Sequence, residues 1–303
     1  MRQPALSGSG KLRRELSFAV GGISIRLRAR SESLHLHLPP GLEAFTAEAS
    51  PRAMDVSVDL ADLSASALGR KVFDSGGLWQ LYDDGAHCSY RFESAARGPA
   101  PYRIARFSRD FSAGEVLQHP HREARAGLSF YPLEYPLDEL LVIRRLGLEG
   151  GVELHACGVI AEDERGFLFV GQSGAGKTTT ARLWDAAAPC TVLSDDRIIL
   201  RREAGAFRMY GTPWHGEARY ASPRSAPLAN VFLLDRAPKN RIDPIPRAEA
   251  TARLLACSFV PFHDAAAVDS AARLLEEIVH SIPCHRLAFV PDPSVVPYVR
   301  LGL

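Results

Sequence analysis

The chain has 303 residues, 36 Lys plus Arg against 35 Asp plus Glu for a formal charge of +1, and 46% hydrophobic residues. That length admits one large or two medium domains with a sizeable core. The charge balance removes any bulk electrostatic case for nucleic acid or an anionic membrane surface. The cysteines at 88, 157, 190, 257 and 284 are scattered and contain no C-x-x-C pair. They suit neither a disulfide framework nor a zinc site, and point to reduced thiols in a cytoplasm. No stretch reaches the roughly 18–20 apolar residues of a membrane-spanning helix. Lys11, Arg13 and Arg14 precede an apolar run from Leu16 to Ile25 as a signal peptide's basic region would. Glu15, Gly21-Gly22 and the alternation Ile23-Ser24-Ile25-Arg26-Leu27-Arg28 instead make the run a first strand.

From Leu16 to about residue 130 the apolar period is two, as in Leu34-His35-Leu36-His37-Leu38 and Met54-Asp55-Val56-Ser57-Val58. This predicts half-buried antiparallel strands, separated by turns at Pro39-Pro40-Gly41, Gly76-Gly77, Asp83-Asp84-Gly85 and Gly98-Pro99. The clearest hairpin joins Trp79-Gln80-Leu81-Tyr82 to Cys88-Ser89-Tyr90. Residues 1–135 read as a β-rich domain without a defining motif. A helix opens at Pro136-Leu137-Asp138-Glu139, with Pro in the first turn and acids near the positive end of the dipole, and Gly147, Gly150 and Gly151 are expected to stop it. Strands and helices then alternate: a strand at 166–170, a helix at 178–184, a strand at 191–193, and a hairpin of 197–200 with 207–210. A Pro- and Arg-rich loop at 212–227 precedes a strand at 230–234 and a helix at 248–257. Val268, Ala272, Leu275, Val279 and Ile282 mark one face of a further helix. A strand at 286–290 and a short helix after Pro293 close an α/β domain spanning 136–303.

Gly171-Gln172-Ser173-Gly174-Ala175-Gly176-Lys177-Thr178, followed by Thr179, fits the Walker A pattern G-x-x-x-x-G-K-[ST] between the predicted strand and helix. In such a P-loop the glycines let successive backbone N–H groups face phosphate oxygens, and the helix adds its positive end. Lys177 is expected to reach the β- and γ-phosphates, and the Thr178 hydroxyl to bind Mg²⁺. The four fixed positions meet by chance in roughly one chain of this length in a hundred. Asp195-Asp196 follows seventeen residues after Thr178, where a second parallel strand would end beside the loop. One carboxylate suits the metal, assigned here to Asp196 with Thr178, while the other takes a proton from an attacking hydroxyl; the pattern leaves open which is the base.

Leu154-His155-Ala156-Cys157-Gly158-Val159, the P-loop and Val192-Leu193-Ser194-Asp195-Asp196, in that order, resemble the catalytic domain of the bacterial HPr kinase/phosphorylase family. The loop also looks like that of ATP-dependent phosphoenolpyruvate carboxykinases, which share the fold. The resemblance covers roughly residues 137–300. It implies ATP, Mg²⁺, a homo-oligomer, and transfer to a serine hydroxyl of a peptide or small protein, with His155 near the transferring phosphoryl group. Tyr210-Gly211-Thr212-Pro213-Trp214-His215-Gly216-Glu217 replaces the second signature of true HPr kinases. That segment instead resembles HPr-kinase-like proteins of peptide-modifying and polysaccharide gene clusters.

The sequence-based expectation is thus an intracellular, Mg²⁺- and ATP-dependent serine kinase acting through Lys177, Asp195, Asp196 and His155, with no nucleic-acid or membrane partner. Its rivals are a small-molecule or carboxykinase-like kinase and a non-catalytic nucleotide-binding regulator. Trp214 to Glu217 read equally as a closing loop or a structural turn. His35-x-His37 and His119-x-His121 lack a further ligand and read as polar-face residues. Arg219, Arg224, Arg236 and Arg241 are candidate charge stabilisers among which the pattern does not choose.

Overall fold

In the computed structural model, residues 13–63, 67–95, 98–120, 129–187 and 189–301 are described. They divide into two units: residues up to Phe18 with Ser24–Tyr135, and Ala19–Ile23 with Pro136 onward.

The first unit takes the period-two segments into one sheet. Its strands are β1 (Glu15–Val20), β2 (Ile23–Ala29), β3 (Met54–Leu60), β4 (Arg70–Asp74), β5 (Trp79–Asp83), β6 (His87–Ser94), β7 (Gly98–Ser108) and β8 (Ala113–Gln118), and α1 (Pro40–Glu43) lies between β2 and β3. The spatial order is β1-β2-β3-β8-β7-β6-β5-β4. The β5/β6 hairpin pairs antiparallel as expected. Three expectations are corrected. The Leu16–Ile25 run is two strands, because Gly21 and Gly22 take positive φ values of 57° and 78° and turn the chain. The sheet is not wholly antiparallel: β2–β3 and β3–β8 are parallel pairs, since long connections carry the chain back to the same end. The 34–38 alternation buries Leu34, Leu36 and Leu38 yet forms only isolated bridges, from Leu36 to Arg13 and Phe130.

In the second unit, α2 (Leu137–Glu149) runs through Gly147 and ends at Gly150, whose φ is 74°. Gly147 is a packing position rather than a stop: a Cβ there would lie 3.2 Å from Ala267 Cβ. The strands that follow are β9 (Gly151–Ala161), β10 (Gly166–Val170), β11 (Cys190–Ser194), β12 (Arg197–Glu203), β13 (Ala206–Gly211), β14 (Ser225–Arg236), β15 (Arg241–Pro244), β16 (Ser258–Phe259) and β17 (Cys284–Phe289). The helices are α3 (Lys177–Ala187), α4 (Arg247–Ala256), α5 (Ala265–Ser281) and α6 (Val295–Leu301). All nine strands join one mixed sheet.

β9 is its centre. β10 and β11 both pair antiparallel with Val159 and Ile160, so they occupy opposite edges of β9. The strand before the Asp pair is therefore not the parallel neighbour of β10, as expected from the spacing. That neighbour is β14, whose first residues lie inside the segment read as a loop. Alternation along β10 sends Leu168 and Val170 to one core with Leu254 and Leu275, and Phe167 and Phe169 to another with Trp184 and Val296. Helices on both faces thus bury the strand that leads into the glycine loop. No helix among the described residues is long and apolar enough to cross a membrane.

Asp264 caps α5. Its carboxylate accepts from the Ala267 N–H at 3.2 Å and pairs with Arg144 at 2.8 Å. Burial opposes ionisation, but those hydrogen bonds and the Arg144 charge hold it below its ordinary value. Asp264→Ala is expected to lose about 1 kcal/mol in urea unfolding near neutral pH. A lowered carboxyl contributes stability above its unfolded value and loses it on acidification, so wild type and variant converge below about pH 4.

Candidate functional site

The loop between β10 and α3 is shaped by Gly174 and Gly176, with φ values of 82° and 110°. Gln172, Ser173 and Gly174 are exposed, and Ala175 is half-buried. Lys177 is only 5% exposed and folds back, its Nζ donating to Gly171 O at 2.8 Å and Gln172 O at 3.1 Å. Burial pulls its amine below the ordinary lysine range, against the raising charge of Asp196. Thr178 turns its hydroxyl to Asp195 Oδ2 at 3.2 Å, while Thr179 is half-buried in the first turn of α3.

β11 and β12 run along the same edge of β9, and the register slips between Val192 and Ser194. Asp195-Asp196 occupies the junction, and the Asp196 carbonyl accepts from Ala156 N at 3.1 Å. The two side chains take different partners. Asp195 is 0% exposed; besides Thr178 it accepts from Gly216 N and Ala218 N, each at 3.0 Å. A Cβ at Gly216 would sit 2.6 Å from Asp195 Oδ2, so a larger residue there would displace that carboxylate.

Asp196 faces the other way. Its Oδ1 lies 2.9 Å from His155 Nε2, and its Oδ2 accepts from Arg197 Nη1. Burial alone would raise the Asp196 carboxyl, but the His155 hydrogen bond and the charges of Arg197, His155 and Lys177 hold it below the usual range. His155 itself is fixed by β9, its backbone N–H donating to Cys257 O at 2.7 Å.

All four predicted site residues therefore converge at the C-terminal end of β10, beside the middle of β9. The expected pairing of Thr178 with Asp196 is not what the geometry places; Thr178 meets Asp195. Among the described residues, no three His, Cys, Asp or Glu side chains converge on a metal position. Thr178 and Asp195 still form the hydroxyl–carboxylate donor pair that suits Mg²⁺ when phosphates and waters complete its shell.

Sequence reasoning missed several participants. The backbone donors of residues 216 and 218 come from the Thr212–Pro227 segment and carry no side-chain signal. Arg197 bonds Glu139 Oε1 at 2.8 Å, lies 3.6 Å from Glu153 Oε1, and rests on the Phe259 ring at 4.0 Å. An acid between Val152 and Leu154 in a strand buried on both faces was the available signal. A cleft of about 500 Å³ borders the loop, with Asp235, Arg236, Arg253 and Cys257 in its wall. Of the candidate arginines, Arg236 lines this cleft, Arg224 is committed to Glu164 and Arg241 to Asp243, and Arg219 is exposed. Trp214 is half-buried and Glu217 exposed. His35 and His37 are half-buried, and His121 lies outside the described residues.

Fold and site together define a mixed α/β protein with a strand–glycine-loop–helix unit facing a split acid pair. Residues 138–287 match the family described as SynChlorMet cassette protein ScmC. No curated protein matches the chain. Among solved structures, the chain is similar to the Hpr(Ser) kinase/phosphatase from Coxiella burnetii, with 14% identity over 50% of this chain and 91% of that one and a TM-score of 0.28.

Proposed function

We propose that this chain is a Mg²⁺-dependent phosphotransferase that moves the γ-phosphoryl group of ATP to a serine or similar hydroxyl on a peptide or small protein. The observation that carries the reading is the division of the acid pair: Asp195 turns to the loop's Thr178, Asp196 to His155. Such a division suits phosphoryl transfer to a hydroxyl, with one carboxylate at the metal and another at the nucleophile. The loop N–H groups and the start of α3 bind the phosphates. Lys177 exchanges its two loop carbonyls for β- and γ-phosphate oxygens. Mg²⁺, held by Thr178 and Asp195, supplies neutralisation of phosphate charge when bound.

Asp196 takes the proton of the acceptor hydroxyl. That oxygen forms a bond to the γ-phosphorus as the bond to the β-phosphate oxygen breaks, and ADP leaves. His155 orients Asp196. The lowered carboxyl is ionised at neutral pH and ready to accept that proton. The metal-holding carboxylate is accordingly Asp195 rather than Asp196.

The test is transfer from γ-labelled Mg²⁺-ATP into size-separated native-host lysate, comparing wild type with Lys177→Ala. A labelled band or peptide that appears only with wild type supports the reading. Label confined to free phosphate or a small metabolite points to a small-molecule kinase. ATP binding without any transfer points to a regulator.

A further inference from the structure

β9 carries an ionisable residue at a position shielded from solvent. Glu153 is 0% exposed, and among the described residues no N–H or O–H group donates to either carboxyl oxygen; its hydrogen-bonding neighbour is the Glu139 carboxyl. The groups that face it come from each packed element: Asp138 and Glu139 from the first turn of α2, Arg197 from β12, and His155 two residues along β9. β16 places Phe259 opposite Glu153 in register.

Arg197 has already committed its Nε and Nη1. Nε bonds Glu139 at 2.8 Å, Nη1 bonds Asp196, and Glu153 Oε1 stands 3.6 Å from Nε, outside hydrogen-bond reach. One guanidinium thus faces three carboxyl groups, two of which converge on the same nitrogen. Ionising both of these in so buried a cluster costs more than leaving a proton on one. Burial foremost, then the Glu139 charge, push the Glu153 carboxyl well above the ordinary range, against the opposing charge of Arg197.

We propose that Glu153 carries a proton and that it, with Glu139, is the positioning element that holds Arg197, and through it Asp196, against His155. With Glu153 neutral, the Arg197 charge is divided between Glu139 and Asp196 alone. An ionised Glu153 would compete for the guanidinium and draw it from Asp196. The proton on Glu153 stands on its own geometry; only its value to catalysis rests on the reading of Asp196 as the base.

The experiment is NMR on the full chain with ¹³C-carboxyl glutamate and ¹⁵N arginine, for wild type, Glu153→Gln and Glu153→Ala. One glutamate signal, absent from Glu153→Gln, should keep the protonated shift at pH values where ordinary glutamates have titrated. The Arg197 Nε–H signal should be sharp and slow to exchange in wild type and in Glu153→Gln, which keeps the neutral shape, and lost in Glu153→Ala. Glu153→Gln should melt at or above the wild-type temperature. A Glu153 signal that titrates in the ordinary range, or a Glu153→Gln protein that loses the Arg197 signal, overturns the proposal. So does an unchanged Arg197 signal in Glu153→Ala. If Glu153→Ala does not fold, Glu153→Gln and the carboxyl titration decide alone. None of these readouts needs turnover, so a chain inert toward ATP overturns the proposed function and leaves this test intact. If turnover is present, Glu153→Ala should lower kcat with KM for ATP little changed, and Glu153→Gln should restore it.

Discussion

Lys177→Ala is expected to remove nucleotide turnover while the protein remains folded. The wild-type amine is buried and held below its ordinary value by desolvation, with two loop carbonyls as partners. Deleting it leaves those carbonyls without a donor but also removes a charge that burial disfavours, so the stability change should stay within about 1–2 kcal/mol. Turnover has no such compensation, because nothing else in the loop offers a movable positive charge to the phosphates. The loss expected for removing one such transition-state donor is roughly 10²–10³-fold in rate. Turnover of labelled ATP alongside urea unfolding separates the effects. A variant that turns over ATP normally would remove Lys177 from the phosphate site.

Asp195→Asn and Asp196→Asn are expected to fail in different ways. Asp196→Asn keeps the size of the group beside His155 but cannot accept a proton, so kcat should fall by roughly 10²–10⁴-fold with the Mg²⁺ requirement unchanged. Asp195→Asn weakens the carboxylate that faces Thr178, so half-maximal activity should need more Mg²⁺. Turnover measured across a Mg²⁺ titration distinguishes them, and the opposite pattern would exchange the two roles. The pH profile follows from the lowered Asp196 carboxyl. A base held ionised below its ordinary range loses activity only as pH falls through that lowered value, so the acid limb belongs below about pH 4. An acid limb near neutrality would exclude Asp196 as the base.

The elements whose determinants are local were legible in the chain. The strand at 166–170, the glycine loop and the helix after it follow from a short apolar run, backbone positions that favour glycine, and helical spacing, all within a few residues of one another. His155 and the acid pair were identifiable as candidates from their order. The parallel pairs β2–β3 and β3–β8 were not legible, because period two reports which face is buried and says nothing about the direction of a neighbour. Gly147 misled for a related reason: glycine marks both helix ends and close helix contacts, and only the position of Ala267 tells them apart.

By itself, then, the sequence determined the residue types available for chemistry, the loop that presents Lys177 and Thr178, and the β-rich and α/β characters of the two halves. Tertiary structure decided which partners each acid takes. Asp195 and Asp196 are adjacent in sequence and equivalent in composition. The slipped register of β11 and β12 on β9 sends one side chain to Thr178 and the Gly216 and Ala218 amides, and the other to His155 and Arg197. Glu153 follows the same rule: its composition is that of a surface residue, and its chemistry comes from burial beside Glu139 and Arg197. Electrostatic environment depends on neighbours brought together from 139, 153, 197 and 259, and distance along the chain carries no record of that approach.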